Sequence, residues 1–472
     1  MMKATKIVCT LGPASSDPQV MKAMLQAGMN VARLNCSHGS HEEHQEKINT
    51  FRDVCDQLGV PAAILLDTKG PEIRLGTFPE DKVLLKKGQQ FILYGSAEIP
   101  GSAEGVGISC AALAAEVQPG TRILVDDGKI RMIATEVRNG DIVCEVKDEG
   151  YVSTKKGVNV PDVHLPMDYL SERDQADLLF GIRNDIDFVA ASFVRTAEDV
   201  EDVRRFLDEN GGSEIRIISK IENPEGIREF DKILEASDGI MIARGDMGVE
   251  VDYATLPGIQ KKFIHLCRQK GKPVITATQM LESMISEPTP TRAEITDVAN
   301  AVFDGTSAVM LSGESAAGKH PSLAVSVMTR IVEQAEKELS DMEVGTVYDA
   351  AEADVSTAIG HAACQAANDI GAKALIAVTY SGYTARMMSR FYPKQPIIAA
   401  TPQPRTARQM GIIRGVIPVM TQTETDFNQL TSAAIDKARE KGLVNYGDRV
   451  IISAGLPLNS PGTTNLIKVE TV

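Results

Sequence analysis

Short runs of apolar and β-branched residues alternate with longer stretches whose apolar positions return every three or four residues. The runs at 6–11, 31–35, 62–68, 188–194, 215–222, 239–245, 273–278 and 308–311 carry too few polar positions for a strand with one wet face. They read as strands buried on both sides. Helical periodicity fills the intervals: Val20, Met24, Leu25 and Gly28 in the first, a polar helix over 41–58, then helices near 171–183, 197–209, 224–234, 256–270, 292–303 and 321–339. Eight such units predict an α/β chain built on a TIM (β/α)8 barrel, whose active sites sit at the strand C-termini.

The rhythm breaks after the third strand. From about 73 to 165 the runs are short and alternating, with turn signals at Asp127-Gly128 and Asn139-Gly140. This predicts a small all-β domain inserted in a βα loop, placed to act as a lid. An acidic stretch over 340–356 reads as a linker. Beyond it, a helix over 357–370, a strand over 374–379, a helix over 385–391, further βα units, a helix over 428–441 and a last strand over 449–454 predict a doubly wound α/β domain. The expected division is barrel at 1–70 and 167–342, lid at 71–166 and C-terminal domain at 343–472.

Composition narrows the function. A net charge of −15 argues against nucleic acid or an acidic membrane surface as a general partner, although a local basic cleft remains open to phosphates. No apolar run is long enough to span a bilayer, and Met1 to Ala4 lead into a strand rather than a secretory signal, so a cytoplasmic location is expected. Seven scattered cysteines without a CxxC pair suggest neither a disulfide framework nor a zinc knuckle.

Charge enters where strands leave the core. Lys220 and Glu222 are two apart and share one face of their strand, and Asp246 closes the next run. A Lys-x-Glu alone reads as a solvated ion pair. With Asp246 on a neighbouring strand end it reads as two carboxylates able to hold Mg²⁺, with an ammonium beside them. That combination suits a transferring phosphoryl group or a developing enolate. His38, His41 and His44 also recur every three residues, but His38 lies in a loop and a zinc site is not expected there.

Seven ordered motifs extend this picture: 6–13 (KIVCTLGP), 29–39 (MNVARLNCSHG), 67–74 (DTKGPEIR), 218–223 (ISKIEN), 241–248 (MIARGDMG), 275–281 (ITATQML) and 310–314 (MLSGE). Over essentially its full length the chain resembles the pyruvate kinase family, in its bacterial form without an extra C-terminal domain. The resemblance implies transfer of the phosphoryl group of phosphoenolpyruvate to ADP, giving pyruvate and ATP. It assigns Lys220 to the phosphoryl group and enolate, Glu222 and Asp246 to Mg²⁺, Gly245 and Asp246 to the substrate carboxylate side, and Thr278 to protonation of the enolpyruvate carbon. A threonine hydroxyl is too weak an acid to donate outright, so Thr278 is expected to order a water or relay a proton.

Arg33 and Arg74 offer planar forks for phosphate oxygens, and Lys156 is expected to meet the nucleotide as the lid closes. Asn35, Ser37 and His38 belong to the nucleotide-side loop. Asn35, Ser37, Asp67 and Thr68 match an all-oxygen K⁺ site. Glu72 points the same way, since relatives with an acid here tend to need K⁺ and those with lysine do not. Cys36 and Ser307 depart from the family's usual aromatic and aspartate. In the last domain Thr379, Ser381, Gly382, Tyr383 and Thr384 resemble the effector loop of allosteric relatives. The effector stays open between AMP or a sugar monophosphate and fructose bisphosphate, because no arginine is found at the likely position near 430–438. The family habit implies a homotetramer. Two alternatives remain: another metal-dependent barrel enzyme handling phosphoenolpyruvate or pyruvate, such as a lyase, and a non-catalytic sugar-phosphate sensor.

Overall fold

The computed structural model describes residues 3–161, 163–164, 166–339, 353–423, 426–457 and 464–472. The eight apolar runs become the staves of a closed parallel barrel: Lys6–Thr10, Val31–Asn35, Ala63–Asp67, Phe188–Ala191, Arg216–Ile221, Gly239–Ala243, Val274–Ala277 and Ala308–Leu311. They follow one another around the cylinder, and the first closes on the eighth with Lys6 opposite Ala308. Alternate residues explain why no run shows a polar face. Val8, Val31, Leu65, Ile218 and Met241 belong to one buried cluster, whereas Ile7, Cys9, Leu34, Ile64 and Ile217 belong to another that includes the surrounding helices.

Helix starts are written locally. Ser40, Ser171, Thr196 and Thr291 cap four helices, and in each the acid three residues on closes a reciprocal capping box. The helix expected over 224–234 is two short ones, Pro224–Arg228 and Phe230–Ala236, divided at Glu229. The sixth strand ends at Ala243 rather than at 245. Arg244–Glu250 is helical, so Asp246 stands in a first helical turn, where the helix dipole favours an acid.

The insert forms a seven-stranded sheet and a two-stranded ribbon around its own apolar core. Arg122–Val125 pairs antiparallel with Ile130–Arg138. The turn begins earlier than expected: Asp126 and Asp127 already have φ 53 and 55, ahead of Gly128. Asn139-Gly140 turns as expected, with φ 54 and 84.

The C-terminal domain is a five-stranded sheet. Val416–Met420, Ile397–Thr401, Ala374–Val378 and Arg449–Ala454 are parallel, and Leu466–Thr471 adds an antiparallel edge after the strand expected to be last. Its alternation of exposed and half-buried positions lacks the continuous apolar run that marks the inner strands. Most of the expected linker, 340–352, and Leu165 in the insert lie outside the described residues.

The base of the barrel is joined to this domain. The barrel-lining apolar cluster continues into Ala363, Leu375 and Ile412. Fully buried Asp187 accepts from Arg408 Nε at 2.7 Å and from Ile64 N at 2.8 Å, and Lys6 Nζ donates to Val416 O at 2.7 Å. No described helix is long and apolar enough to cross a membrane.

Candidate active site

The ends of the first five strands converge on one carboxylate. Asp67, at the end of the third strand, accepts from Arg33 Nε at 2.6 Å, Ser192 Oγ at 2.9 Å and Lys220 Nζ at 3.1 Å. Arg33 also donates to Thr10 Oγ1 at 2.9 Å, and Lys220 to Ser192 Oγ at 2.7 Å. Parallel pairing with a common stagger delivers these side chains to the same rim from five segments far apart in the chain. Ser192 was not singled out from sequence, because it falls inside the run read as strand 188–194; that strand stops at Ala191, which frees Ser192 to bridge Asp67 and Lys220.

Glu222 follows directly on the strand that bears Lys220, and the expected common face holds. Lys220 Nζ lies 3.0 Å from Glu222 Oε1, yet that oxygen is buried without a well-directed hydrogen bond; Oε2 accepts from Phe193 N at 2.6 Å. Burial pushes Glu222 up, opposed by Lys220 and reinforced by Asp246 and Asp67, and it is pushed up to about 7. Burial alone would lower Lys220, but Asp67 and Glu222 outweigh it and raise it to about 12. Burial would also raise Asp67; Arg33 and Lys220 together hold it below the usual carboxylate range.

This donor set fits a divalent metal. A desolvated carboxylate oxygen met only by the Lys220 ammonium and without a well-directed hydrogen bond, with Asp246 near enough to push on its charge, is what a hard cation would relieve. Among the described residues no group of three or more His, Cys, Asp or Glu side chains is arranged to hold an ion. Two carboxylates with the other positions left to substrate and water are the expected pattern for Mg²⁺-type sites.

Thr278 follows the seventh strand in a left-handed backbone conformation, φ 66, which is strained for a β-branched residue. Arg244 holds it there, donating to Thr278 O at 2.7 Å while pairing with Asp297 at 2.7 Å. The Thr278 hydroxyl donates to Ala277 O at 2.6 Å and accepts from Gly245 N at 2.7 Å. The Gly245 amide is thus turned to Thr278 in this structure. Arg244 was missed too, although it stands inside a quoted motif. Glu314 is another fully buried acid; it accepts from Leu281 N at 3.0 Å and Ser312 N at 2.7 Å, tying the loops after the last two strands together.

Asn35 is the register partner of Asp67, so the second and third strands end level. Asn35 Oδ1 accepts from Ser37 N at 3.1 Å, buried Thr68 accepts from Ser192 N at 3.3 Å, and His38 is exposed. Arg74 and Lys156 gather in the insert instead. Both oxygens of Glu72 face Arg74, at 2.7 and 3.0 Å, Arg74 also donates to Lys155 O at 2.8 Å, and Lys156 pairs with Asp126 at 2.8 Å. His41 binds Asp177 at 2.6 Å and His44 Nε2 meets His38 O at 2.9 Å, which gives the histidine series structural employment. All seven cysteines are buried and free.

In the C-terminal domain the helix expected over 385–391 is Tyr383–Ser389, starting two residues earlier, with Gly382 at φ 81 before it. Thr379 Oγ1 accepts from Gly382 N at 3.0 Å and Thr384 Oγ1 meets Thr464 Oγ1 at 2.9 Å, both buried, whereas Ser381 is half-buried.

Comparison with known proteins gives a consistent result. The family model "Pyruvate kinase, barrel domain" matches residues 2–325, and "Pyruvate kinase, alpha/beta domain" matches 357–470. The chain is 46% identical over 472 residues to a pyruvate kinase of Clostridium acetobutylicum, covering 100% of each. It is 44% identical over 475 residues to one of Geobacillus stearothermophilus, covering 100% of this chain and 81% of that protein. A crystal structure of a pyruvate kinase from Cryptosporidium parvum superposes with TM-score 0.92 at 37% identity, covering 99% of this chain and 96% of that one. With both family domains matched in order and a closed barrel carrying a charged cluster at its C-terminal rim, the chain belongs to the pyruvate kinase family.

Proposed function

We propose that the rim cluster carries out the reaction of this family, moving the phosphoryl group of phosphoenolpyruvate to ADP. The observation that carries the assignment is Lys220: an ammonium held by Asp67, Ser192 and Glu222 at the mouth of the barrel and kept charged at any physiological pH. Lys220 and Arg33 would bind the phosphoryl oxygens as charge spreads over them, and their positions are fixed beforehand by Asp67, so little reorganisation accompanies the reaction. Glu222 and Asp246 would hold Mg²⁺, which when bound neutralises phosphoryl and enolate oxygens. Thr278 would pass a proton, through a water, to the methylene carbon of the enolate, which becomes the methyl group of pyruvate; the Gly245 amide orients its hydroxyl.

Asn35, Ser37 and His38 would meet the nucleotide, with Arg74 and Lys156 approaching from the lid. Asn35, Ser37, Asp67 and Thr68 would supply oxygens to K⁺. In the C-terminal domain, Thr379, Ser381, Gly382, Tyr383 and Thr384 would receive a phosphorylated effector, and family habit supports a homotetramer in the cytoplasm. The test is a coupled assay of ADP- and Mg²⁺-dependent pyruvate formation by the wild type and Lys220→Ala. Turnover that collapses in the variant is expected; full turnover would overturn the role of this lysine.

A further inference from the structure

Two adjoining cavities follow the seam between the base of the barrel and the C-terminal domain. One is lined by Arg268, Lys272, Arg386, Arg390 and Arg414 around Tyr392, and no carboxylate lines it. The other shares Arg386 and reaches Ser381, Gly382, Arg216 and Asp238. In a chain of net charge −15, five cations around one cavity without an acid run against the general composition. Bringing like charges together out of water is costly unless something of opposite charge joins them.

The protein uses the arginines only in part: Arg390 donates to Thr357 Oγ1 at 3.1 Å and to Gln269 O, and Arg268 Nε donates to Arg390 O at 3.1 Å. Arg386, Arg390 and Arg414 each have an Nε atom that is shielded from solvent and has no acceptor. The Arg386 guanidinium makes no hydrogen bond or ion pair among the described residues, its contact being the Tyr383 ring at 5.5 Å. Arg414 is 9% exposed, 3.9 Å from Glu336 Oε1 and 4.2 Å from the Tyr392 ring centroid, where Arg268 also stacks at 3.9 Å. Lys272 is spent on the Leu234, Glu235 and Ser237 carbonyls and adds only its field. Burial depresses Arg268, with the charge of Arg414 adding to it, and burial depresses Arg386, with Arg216 adding.

We propose that this seam is an anion site of its own, taking a phosphate group, free or as a small phosphate monoester, between Arg386 and Arg414. Guanidinium forks match phosphate oxygens and are weakly hydrated, so they suit an enclosed anion better than ammonium groups do. The location links two parts of the molecule. Pro273 and Val274 line the cavity at the start of the seventh strand, and that strand ends beside Thr278. An anion here would tie the helix Tyr383–Ser389 to the strand that leads to Thr278. The site goes beyond the rim chemistry and stands independently of it, and it abuts the 379–384 loop, whose Ser381 and Gly382 line the adjoining cavity.

The test titrates the full chain by calorimetry, at constant ionic strength, with inorganic phosphate and separately with glycerol 3-phosphate. Phosphate bound at the rim is displaced by phosphoenolpyruvate in every variant and is thereby told apart. Arg386→Gln/Arg414→Gln is expected to weaken the remaining site about tenfold or more, as loss of charge-assisted hydrogen bonds implies. Basal turnover without phosphate should be unchanged, and Arg386→Lys should recover part of the binding. Tighter binding of the ester assigns the site to a monoester and equal binding to free phosphate; both support it. Equal stoichiometry and affinity in wild type and double variant would overturn it. Should the double variant not fold, wild-type crystals soaked in sodium tungstate decide: an anomalous peak in the seam supports the site, and peaks only elsewhere refute it.

Discussion

Replacing Lys220 with methionine separates catalysis from stability at the rim. Its ammonium is pulled down by burial but raised, by Asp67 and Glu222, from 10.5 to about 12. A rise of about 1.5 units is worth roughly 2 kcal/mol to the folded state. Because the folded value lies above the unfolded one, that stability is complete below pH 10.5 and is lost as pH climbs through 12. Deleting the charge also strands Glu222, already pushed up to about 7 by burial and the neighbouring acids. Breaking a buried pair from one side costs about 3–5 kcal/mol. Lys220→Met should therefore lose about 3 kcal/mol in denaturant titration at pH 7.5, and Lys220→Met/Glu222→Gln, with both charges gone, should regain most of it. Pyruvate formation should fall by about 10³-fold in the single variant, as loss of a preorganised electrostatic group implies, and stay low in the double. A double variant that recovers turnover, or that is no more stable than the single, would refute the reasoning.

Burial and Lys3 pull Lys6 down from 10.5 to about 7, so its charged form costs the folded state up to about 5 kcal/mol below pH 7 and less as pH rises toward 10.5. Lys6→Met should have the higher denaturation midpoint at pH 6, less the bond to Val416 O, and lose that advantage by pH 10.5; a lower midpoint at pH 6 counts against it. Thr278→Ser keeps the hydroxyl that Gly245 addresses and should keep kcat within about tenfold, whereas Thr278→Ala should lose about 10²-fold, with equal losses refuting a role for the hydroxyl. Thr278→Gly should relieve about 1 kcal/mol of backbone strain in a stability measurement despite its inactivity. Activity should rise when K⁺ replaces tetramethylammonium, and Glu72→Lys should flatten that response; a wild type indifferent to K⁺ refutes the monovalent site.

The barrel was readable because strands buried on both faces leave nearly pure apolar runs, and runs such as Val31–Asn35 and Ala308–Leu311 are bounded by the residues expected. Strand ends were harder to place. The 239–245 run contains Arg244 and Asp246, and periodicity could not tell a charged strand end from the first turn of a helix. The common face of Lys220 and Glu222 followed from spacing of two. That Ser192 bridges Lys220 and Asp67 did not, since a serine at the end of an apolar run carries no sign of its partners. Glu72 facing Arg74 obeys the same spacing of two, whereas Lys156 facing Asp126 was invisible, because that pair depends on where the insert's strands lie side by side. The seam arginines are scattered from Arg268 to Arg414 and become a cluster only when the C-terminal domain meets the barrel.

Asp67 serves three masters at once, Arg33, Ser192 and Lys220, and none of them can shift without it. Altered preference at this rim is thus hard to reach one substitution at a time. Variation that redirects such an enzyme should accumulate in outlying loops and in the insert, while this hub resists change until several of its neighbours are replaced together.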